Sequence, residues 1–381
     1  MTQDLFERLQ KALAEREAAG LMRRLEARSS GDSRINLADN DYWGMAKDPA
    51  VIQAAVNALH EWGASASASP LVTGYTDLHR QLEEALAAWH GYSYGLIFNS
   101  GYAANTAVLG GLPQSGDLVL ADRLVHASML EGILSSEAKL RRFPHNDLDA
   151  LEILLQEATH QDGAVFVVTE SVYSMDGDAP DLVRLADLRK RFGFCWILDE
   201  AHATGWYGKT GSGLQEEQGV RGAADIVVGT LGKGLGSQGA YVLCQRTEIR
   251  DTLINFAGEF IYSTYLAPAC VAAALAAMTR VQAMSGEREQ LHQLSREWRQ
   301  EFIKAGYAVP EGDSPIIPVV LGDAQRTQAV AQALRAAGFM VSAIRPPTVP
   351  LGTARLRISL RRGLKPEHLA AFVSTLKGVS L

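Results

Sequence analysis

Two apolar stretches decide the fold: Phe194-Cys195-Trp196-Ile197-Leu198, which stops at Asp199, and Asp225-Ile226-Val227-Val228, which stops shortly before Lys233. Both have the unbroken apolar character of strands that are buried in a parallel sheet. Ligands of open α/β sheets bind at the carboxyl ends of such strands. We therefore expect Asp199 and Lys233 at one edge of a sheet, together with His202, which follows the aspartate closely.

These residue types suit pyridoxal 5'-phosphate (PLP). A lysine amine can form a Schiff base with the PLP aldehyde, and an aspartate beside the pyridine nitrogen keeps the ring protonated and electron-withdrawing. Glycines around Lys233 let the backbone approach a cofactor closely. The alternative is an exposed loop lysine and an aspartate that caps a helix. The order of Asp199, His202, Thr230 and Lys233 favours the cofactor site.

Two familiar motifs are spelled in the same region, and both lack the context that their function requires. Residues 199–202 read Asp-Glu-Ala-His, as in a helicase motor, but the chain has no phosphate-binding loop of the form G-x-x-x-x-G-K-[ST]. Residues 234–239 read G-x-G-x-x-G, but the run 240–243 predicts a strand where a dinucleotide fingerprint needs a helix. We therefore reject a nucleotide-dependent motor and an NAD-binding protein, and the intact Lys233 argues against a non-catalytic scaffold.

Length and composition narrow the class of protein. A chain of 381 residues suggests a large domain with a smaller one. The formal charge of −7 argues against nucleic acid as a partner. No apolar run approaches the roughly 18 residues that span a bilayer, and no signal peptide is visible, so we expect no membrane association. Cys195, Cys244 and Cys270 are far apart in apolar surroundings, which is typical of reduced cysteines in a cytoplasmic protein and not of a metal site.

Helix and strand patterns alternate from about residue 50 to about residue 270, which predicts an α/β fold with a mostly parallel sheet covered by helices on both faces. We expect helices over 4–28, 77–90, up to 192, 285–305, 324–337 and from 366, and strands over 94–98, 117–122, 164–169, 194–198, 225–228, 240–243, 315–321, 339–344 and 355–360. The predicted parts are an N-terminal helical arm (1–45), a large cofactor-binding domain (46–275) and a smaller C-terminal α/β domain (276–381).

A second candidate element of the site is the turn Asn99-Ser100-Gly101, which lies between a predicted strand and a predicted helix. Free N–H groups and the helix dipole make such a turn a natural anion site, so we assign the cofactor phosphate to it. His126 opens another predicted helix. It is either a buried, satisfied side chain or a ring that lies flat on an aromatic cofactor.

These residues belong to motifs that resemble the α-oxoamine synthase family of fold-type I PLP enzymes over nearly the whole chain. The motifs are Asn40-Asp41-Tyr42-x-Gly44, Asn99-Ser100-Gly101-Tyr102-x-Ala104-Asn105, His126-Ala127-Ser128, Glu170-Ser171-Val172-Tyr173-Ser174-Met175-Asp176-Gly177-Asp178, Asp199-Glu200-Ala201-His202 and Thr230-x-Gly232-Lys233. The resemblance implies a catalytic set in which Lys233 bonds PLP and moves protons at the substrate Cα. Asp199 would pair with the pyridine nitrogen, His202 with the phenolic oxygen, and His126 would stack on the ring.

The resemblance also implies further contacts with the cofactor and the substrates. The remaining cofactor-binding residues would be Gly101, Tyr102, Glu170, Ser174, Thr230 and Thr264, the last lent to the phosphate site of a neighbouring subunit. Arg357, assisted by Asn40, would hold the amino-acid carboxylate, and His126 would also contact the substrate. Arg23 and Thr348 would line the acyl-donor pocket. A homodimer with shared active sites is therefore expected.

Within the family, the segments 141–147 and 343–357 are similar to the branch that acts in biotin synthesis. This similarity implies a decarboxylative condensation of L-alanine with a pimeloyl thioester, carried on coenzyme A or an acyl carrier protein. The alternatives are other branches: 2-amino-3-ketobutyrate CoA ligase, which uses glycine with acetyl-CoA, 5-aminolevulinate synthase, which uses glycine with succinyl-CoA, or an enzyme that joins serine to a long acyl-CoA.

Overall fold

The computed structural model describes residues 4–160 and 162–379. Residues 1–3, 161 and 380–381, which fall in the three predicted parts of the chain, lie outside the described residues. The chain forms two compact units: Asn40–Gln293, and the segments Met1–Asp39 and Leu294–Leu381 together. The three-part division into 1–45, 46–275 and 276–381 stays a prediction. None of the helices in the described ranges is long and apolar enough to cross a membrane.

The strands are β1 (Ile35–Asn36), β2 (Tyr94–Phe98), β3 (Leu118–Asp122), β4 (Lys139–Phe143), β5 (Val165–Glu170), β6 (Cys195–Asp199), β7 (Ile226–Thr230), β8 (Ala240–Cys244), β9 (Ile316–Gly322), β10 (Phe339–Met340), β11 (Ser342–Ile344) and β12 (Ala354–Ser359).

The α-helices are α1 (Leu5–Ala18), α2 (Pro49–Trp62), α3 (Asp77–His90), α4 (Gly101–Gly111), α5 (Ala127–Ser135), α6 (Leu148–Ala158), α7 (Leu182–Phe192), α8 (Leu214–Glu217), α9 (Thr247–Phe256), α10 (Gly258–Ile261), α11 (Pro268–Gln282), α12 (Ser285–Lys304), α13 (Ala324–Ala336) and α14 (Pro366–Gly378). A 3-10 turn covers Met45–Lys47 and a π-helical turn covers Pro70–Gly74.

The larger unit is built on a seven-stranded sheet with the order β2-β8-β7-β6-β5-β3-β4. Strands β7, β6, β5, β3 and β4 run parallel, and β8 is antiparallel to both of its neighbours. The prediction of a mostly parallel sheet is confirmed. The strand expected over 240–243 is also confirmed, so Gly234 to Gly239 lead into a strand and not into the helix of a dinucleotide site.

The register of the parallel strands places three chemical groups at one edge of this sheet. Glu170, the last residue of β5, is paired with Asp199, the last residue of β6. The next strand, β7, ends at Thr230. Because these strands are parallel neighbours, their carboxyl ends meet where a ligand is expected to bind.

Two sequence-based expectations are wrong in detail. The helix expected over 4–28 ends at Ala18, because Gly20 adopts a left-handed backbone (φ +67°) that the helical pattern did not reveal. The strand expected over 339–344 is two strands in two sheets. Phe339–Met340 pairs with Ile35–Asn36, whereas Ser342–Ile344 pairs with β12. The helices ending at Gly91 and Gly193 are confirmed, with both glycines left-handed.

The smaller unit has its own aromatic core. Phe372 of α14 is fully buried, and its ring lies 5.7 Å from Trp298, 5.8 Å from Phe302 and 5.3 Å from Phe339, measured between centroids. These rings join α14, α12 and β10. Packing of this kind stabilises a unit whose strands are short.

We predict that Phe372→Ala lowers the free energy of unfolding of this unit by about 3–5 kcal/mol, because the deletion leaves a cavity in a packed core. Phe6→Ala is the matched control, since the same deletion removes a side chain that is 69% exposed on α1. It should change the stability by less than about 0.5 kcal/mol. The check is urea unfolding of both variants, and equal midpoints would contradict the assigned core.

Candidate active site

A cavity of about 210 Å³ lies at the carboxyl ends of β5, β6 and β7 in the larger unit. It is lined by Gly101, Tyr102, Asn105, His126, Glu170, Ser174, Asp199, Ala201, His202, Thr230 and Lys233. All four residues predicted to be catalytic are in this set, and so are all the predicted cofactor-binding residues except Thr264. The structure therefore brings these side chains, which are distant in sequence, into one site.

Lys233 lies in a loop after β7 that only glycine-rich sequence can form. A Cβ atom on Gly234 would lie 2.5 Å from the carbonyl oxygen of Thr204. Gly236 has a left-handed backbone (φ +58°), and a Cβ there would lie 2.3 Å from the amide nitrogen of Ala46. The close approach at both glycines fixes the path of the loop. Lys233 is half-buried in it.

The amine of Lys233 is held by a histidine. Lys233 Nζ lies 2.9 Å from His202 Nε2, and His202 Nδ1 lies 2.6 Å from the hydroxyl of Tyr42. His202 and Tyr42 are buried, at 5% and 1% exposure. Both ring nitrogens of His202 therefore have hydrogen-bond partners, which fix the orientation of the imidazole.

Asp199 is a buried carboxylate that accepts hydrogen bonds on both oxygens. The amide of Ala201 donates to Oδ1 at 2.8 Å, and the side-chain amide of Asn105 donates to Oδ2 at 3.0 Å. Asn105 also donates to Ser128 Oγ at 3.1 Å, and Ser128 Oγ lies 2.7 Å from His126 Nδ1. A continuous network thus connects Asp199 to the imidazole of His126.

Glu170 contributes a second buried carboxyl beside Asp199. Burial, reinforced by the negative charge of Asp199, raises the pKa of Glu170 well above its ordinary value. Its protonated form is therefore favoured in the site. Glu200, the second residue of the Asp-Glu-Ala-His segment, has a structural role. Its carboxyl oxygens accept hydrogen bonds from the backbone amides of Leu214 and Gln215 at the start of α8.

The start of α4 forms the predicted anion site. Ser100 caps this helix by accepting a hydrogen bond from the amide of Ala103 at 3.1 Å. The amides of Gly101 and Tyr102 precede the first intrahelical hydrogen bond, and both residues line the cavity. Partly positive N–H groups therefore lie at the cavity wall, as the assignment of the phosphate requires.

The remaining predicted cofactor residues differ in position. Thr230 is buried, with its hydroxyl donating to the carbonyl of Gly239 at 3.1 Å, and Ser174 is half-buried in the lining. Thr264 is exposed and is not part of the cavity lining. Its carbonyl oxygen accepts a 2.7 Å hydrogen bond from the side chain of Asn99, beside the anion site.

The predicted substrate residues lie in both units. Arg23 and Thr348 meet in the smaller unit, where Arg23 Nη2 donates to Thr348 Oγ1 at 3.0 Å. They line a cavity of about 260 Å³ with Leu21, Ala343, Ile344, Arg345 and Pro346. Arg357 is buried on β12 of the same unit and donates to Ser359 Oγ at 2.9 Å. Asn40 is half-buried in the larger unit.

The sequence-based site omitted three side chains of the hydrogen-bond network. Asn105, Ser128 and Tyr42 contact Asp199, His126 and His202 respectively, or connect them. Each stands in a motif that carries the family resemblance. The motifs therefore contained these residues, but the sequence alone assigned no role to them. Within the described ranges, no group of three or more His, Cys, Asp or Glu side chains could hold a metal ion.

Comparisons with known proteins show the family and the fold of this chain. The sequence profile of the aminotransferase class I and II family matches residues 32–376. An 8-amino-7-oxononanoate synthase from Trichlorobacter lovleyi is 44% identical over 352 residues, which are 92% of this chain and 89% of that protein.

Two solved structures are similar over almost the whole chain. A serine palmitoyltransferase from S. paucimobilis with a bound PLP–myriocin aldimine has a TM-score of 0.91 and 29% identity, and the match covers 98% of each chain. An 8-amino-7-oxononanoate synthase from Francisella tularensis has a TM-score of 0.78 and 30% identity, covering 91% of this chain and 97% of that one. The predicted fold-type I architecture is thereby confirmed. The chain belongs to the 8-amino-7-oxononanoate synthase family, within the class I and II aminotransferases.

Proposed function

We propose that this protein catalyses the decarboxylative condensation of L-alanine with a pimeloyl thioester, carried on coenzyme A or an acyl carrier protein. The products are 8-amino-7-oxononanoate, CO₂ and a free thiol, and the reaction is a step of biotin biosynthesis. The observation that carries the proposal is the joint placement of Lys233, Asp199 and His202 in one cavity of a chain that is 44% identical to an enzyme of that name.

PLP is the cofactor, and the residues present fit it. Two buried polar atoms of the cavity side chains, Glu170 Oε1 and Asn105 Oδ1, have no hydrogen-bond partner among the described residues. Buried polar atoms are normally satisfied, so a ligand with polar groups suits this wall. The amides of Gly101 and Tyr102 suit its phosphate, and the amine of Lys233 suits its aldehyde.

When bound, PLP draws electron density from the Cα of an attached amino acid, so that bonds at this carbon break more readily. Asp199 holds a proton at the ring nitrogen. Lys233 Nζ is the base that takes the proton from Cα and later returns one. His202, whose Nε2 lies 2.9 Å from this amine, would contact the phenolic oxygen of the bound cofactor, and the imidazole of His126 would stack on the cofactor ring.

The proposed substrate contacts follow from the family resemblance. Arg357, assisted by Asn40, holds the carboxylate of alanine. A planar guanidinium can bind a carboxylate at both oxygens, which would fix the orientation of the substituents at Cα. Arg23 and Thr348, in the 260 Å³ cavity, bind the acyl donor.

We also propose a homodimer in which Thr264 completes the phosphate site of the partner subunit. The exposure of Thr264, together with its absence from the cavity lining of its own subunit, supports this role. The cytoplasm is the proposed location, because Cys195, Cys244 and Cys270 are all free thiols.

Lys233→Ala should abolish the visible absorbance band of the bound cofactor and reduce turnover by at least about 10⁴-fold, since the variant has neither the amine nor the base. Lys209→Ala, which removes an exposed lysine of the same unit, should retain the band and the activity. Absorbance spectra and thiol release measure both. Full activity in the Lys233 variant would contradict the assignment.

Arg357→Lys should raise the KM for alanine by roughly 10- to 100-fold, because a lysine makes only part of the charge-assisted contact with the carboxylate. The cofactor band should be unchanged. Arg335→Lys, on an exposed face of the same unit, is the control. An unaltered KM for alanine in the Arg357 variant would rule out this role.

Alanine with pimeloyl-CoA should turn over at least about 10-fold faster than glycine with acetyl-CoA, glycine with succinyl-CoA or serine with a long acyl-CoA. The serine reaction is the sharpest alternative, because a serine palmitoyltransferase matches the fold with a TM-score of 0.91. Thiol release from each pair measures the preference. A faster reaction with serine or glycine would contradict this assignment and place the protein in another branch of the family.

A further inference from the structure

Tyr42 lies outside the lining of the proposed active site, and its hydroxyl has no role in the catalytic steps proposed for Lys233. Its hydroxyl is 2.6 Å from His202 Nδ1, and His202 Nε2 is 2.9 Å from Lys233 Nζ. Tyr42, His202 and Lys233 therefore form one chain of hydrogen bonds that ends at the reactive amine. Tyr42 is not among the residues that line the cavity, and its hydrogen bond to His202 links it to the amine.

The position of the Tyr42 hydroxyl is set independently of the cavity side chains. The backbone turns at this residue, with Tyr42 N donating to the carbonyl of Asn40 at 2.9 Å. Gly44, with φ +71°, completes the turn. The Tyr42 ring packs edge-on against Trp206, at 5.6 Å between centroids and 75° between planes. A backbone turn and a buried ring contact thus hold the hydroxyl in place.

The distances indicate which nitrogen of His202 carries the proton. A neutral imidazole has one donor and one acceptor nitrogen, and the phenol has one hydrogen to give. His202 Nδ1 lies at 2.6 Å from the hydroxyl, whereas Asn40 Oδ1 lies at 3.4 Å. A separation of 2.6 Å is ordinary for an O–H donor and short for an N–H donor. We therefore assign the hydroxyl hydrogen to Nδ1, which leaves the N–H on Nε2, the nitrogen that lies 2.9 Å from the Lys233 amine.

We propose that Tyr42 is a positioning residue: it fixes the proton of His202 on Nε2, and the N–H there stabilises the uncharged amine of Lys233. This inference rests on the proposed function. An uncharged amine is required twice, because it attacks the aldehyde of the cofactor and then removes the proton from the substrate. An ammonium group can do neither.

Other ionisable groups also face the amine. Tyr102, His126, Glu170 and Asp199 line the same cavity as Lys233 and His202. Replacing the Tyr42 hydroxyl leaves all of them in place. A change in the titration of the amine after that replacement therefore reports on the Tyr42–His202 bond.

The test uses the full-length chain stripped of cofactor. PLP is added at a series of pH values, and the rate at which the visible absorbance band appears is measured at each pH. This rate follows the fraction of uncharged amine. In Tyr42→Phe, the midpoint of the rate profile should move up by about half a unit to one unit, the size expected from the loss of one hydrogen bond. The acidic limb of the kcat profile should move in the same direction.

Tyr92→Phe is the matched control. Tyr92 is also buried in the same unit, and its hydroxyl lies 3.0 Å from the carbonyl oxygen of Ala224 and 3.2 Å from Gln215 Oε1, away from the cavity. This variant loses a buried hydroxyl but should keep the wild-type midpoint. Tyr42→Met, which also removes the hydroxyl, should show the same upward shift as Tyr42→Phe, and melting curves establish that each variant is folded.

An unchanged or lowered midpoint in the folded Tyr42 variants would overturn the inference, as would an equal shift in Tyr92→Phe. A wild-type chain that never develops the band would instead overturn the proposed function. The two failures are thus distinguished by the wild-type protein alone.

Discussion

The pairing of β6 with β7 is the constraint on which the proposed site depends. It places the end of β6, at Asp199, beside the end of β7. The glycine-rich loop that follows β7 contains Lys233. A one-residue slip of β6 would turn Asp199 to the other face of the sheet, because the side chains of a strand alternate. The sheet therefore fixes Asp199, and the glycine-rich loop after β7 fixes Lys233.

A network of polar side chains then tunes this pair. Asn105 and the amide of Ala201 satisfy the oxygens of Asp199, and His202 satisfies the amine of Lys233. Glu170, whose pKa is raised by burial and by Asp199, adds a carboxyl whose protonated form is favoured. These hydrogen bonds fix the orientation of Asp199 and of the Lys233 amine.

Sequence patterns predicted the elements that carry the site better than the elements around it. Continuous apolar runs revealed β5, β6 and β7, and each run stops where a polar residue begins the site. The early end of α1 was missed, since one left-handed glycine outweighs a helical pattern. The division of 339–344 between two sheets depends on the partner β1, a two-residue strand that has no pattern of its own. Hydrogen bonds such as Tyr42 to His202 join residues 160 apart and need coordinates.

The most direct test of the central claim is to reduce the wild-type protein with borohydride in the presence of PLP and to map the labelled peptide by mass spectrometry. Borohydride makes the bond between a lysine and the cofactor permanent. The account predicts that one lysine, Lys233, carries the pyridoxyl label. A label on another lysine, or no label at all, would contradict it.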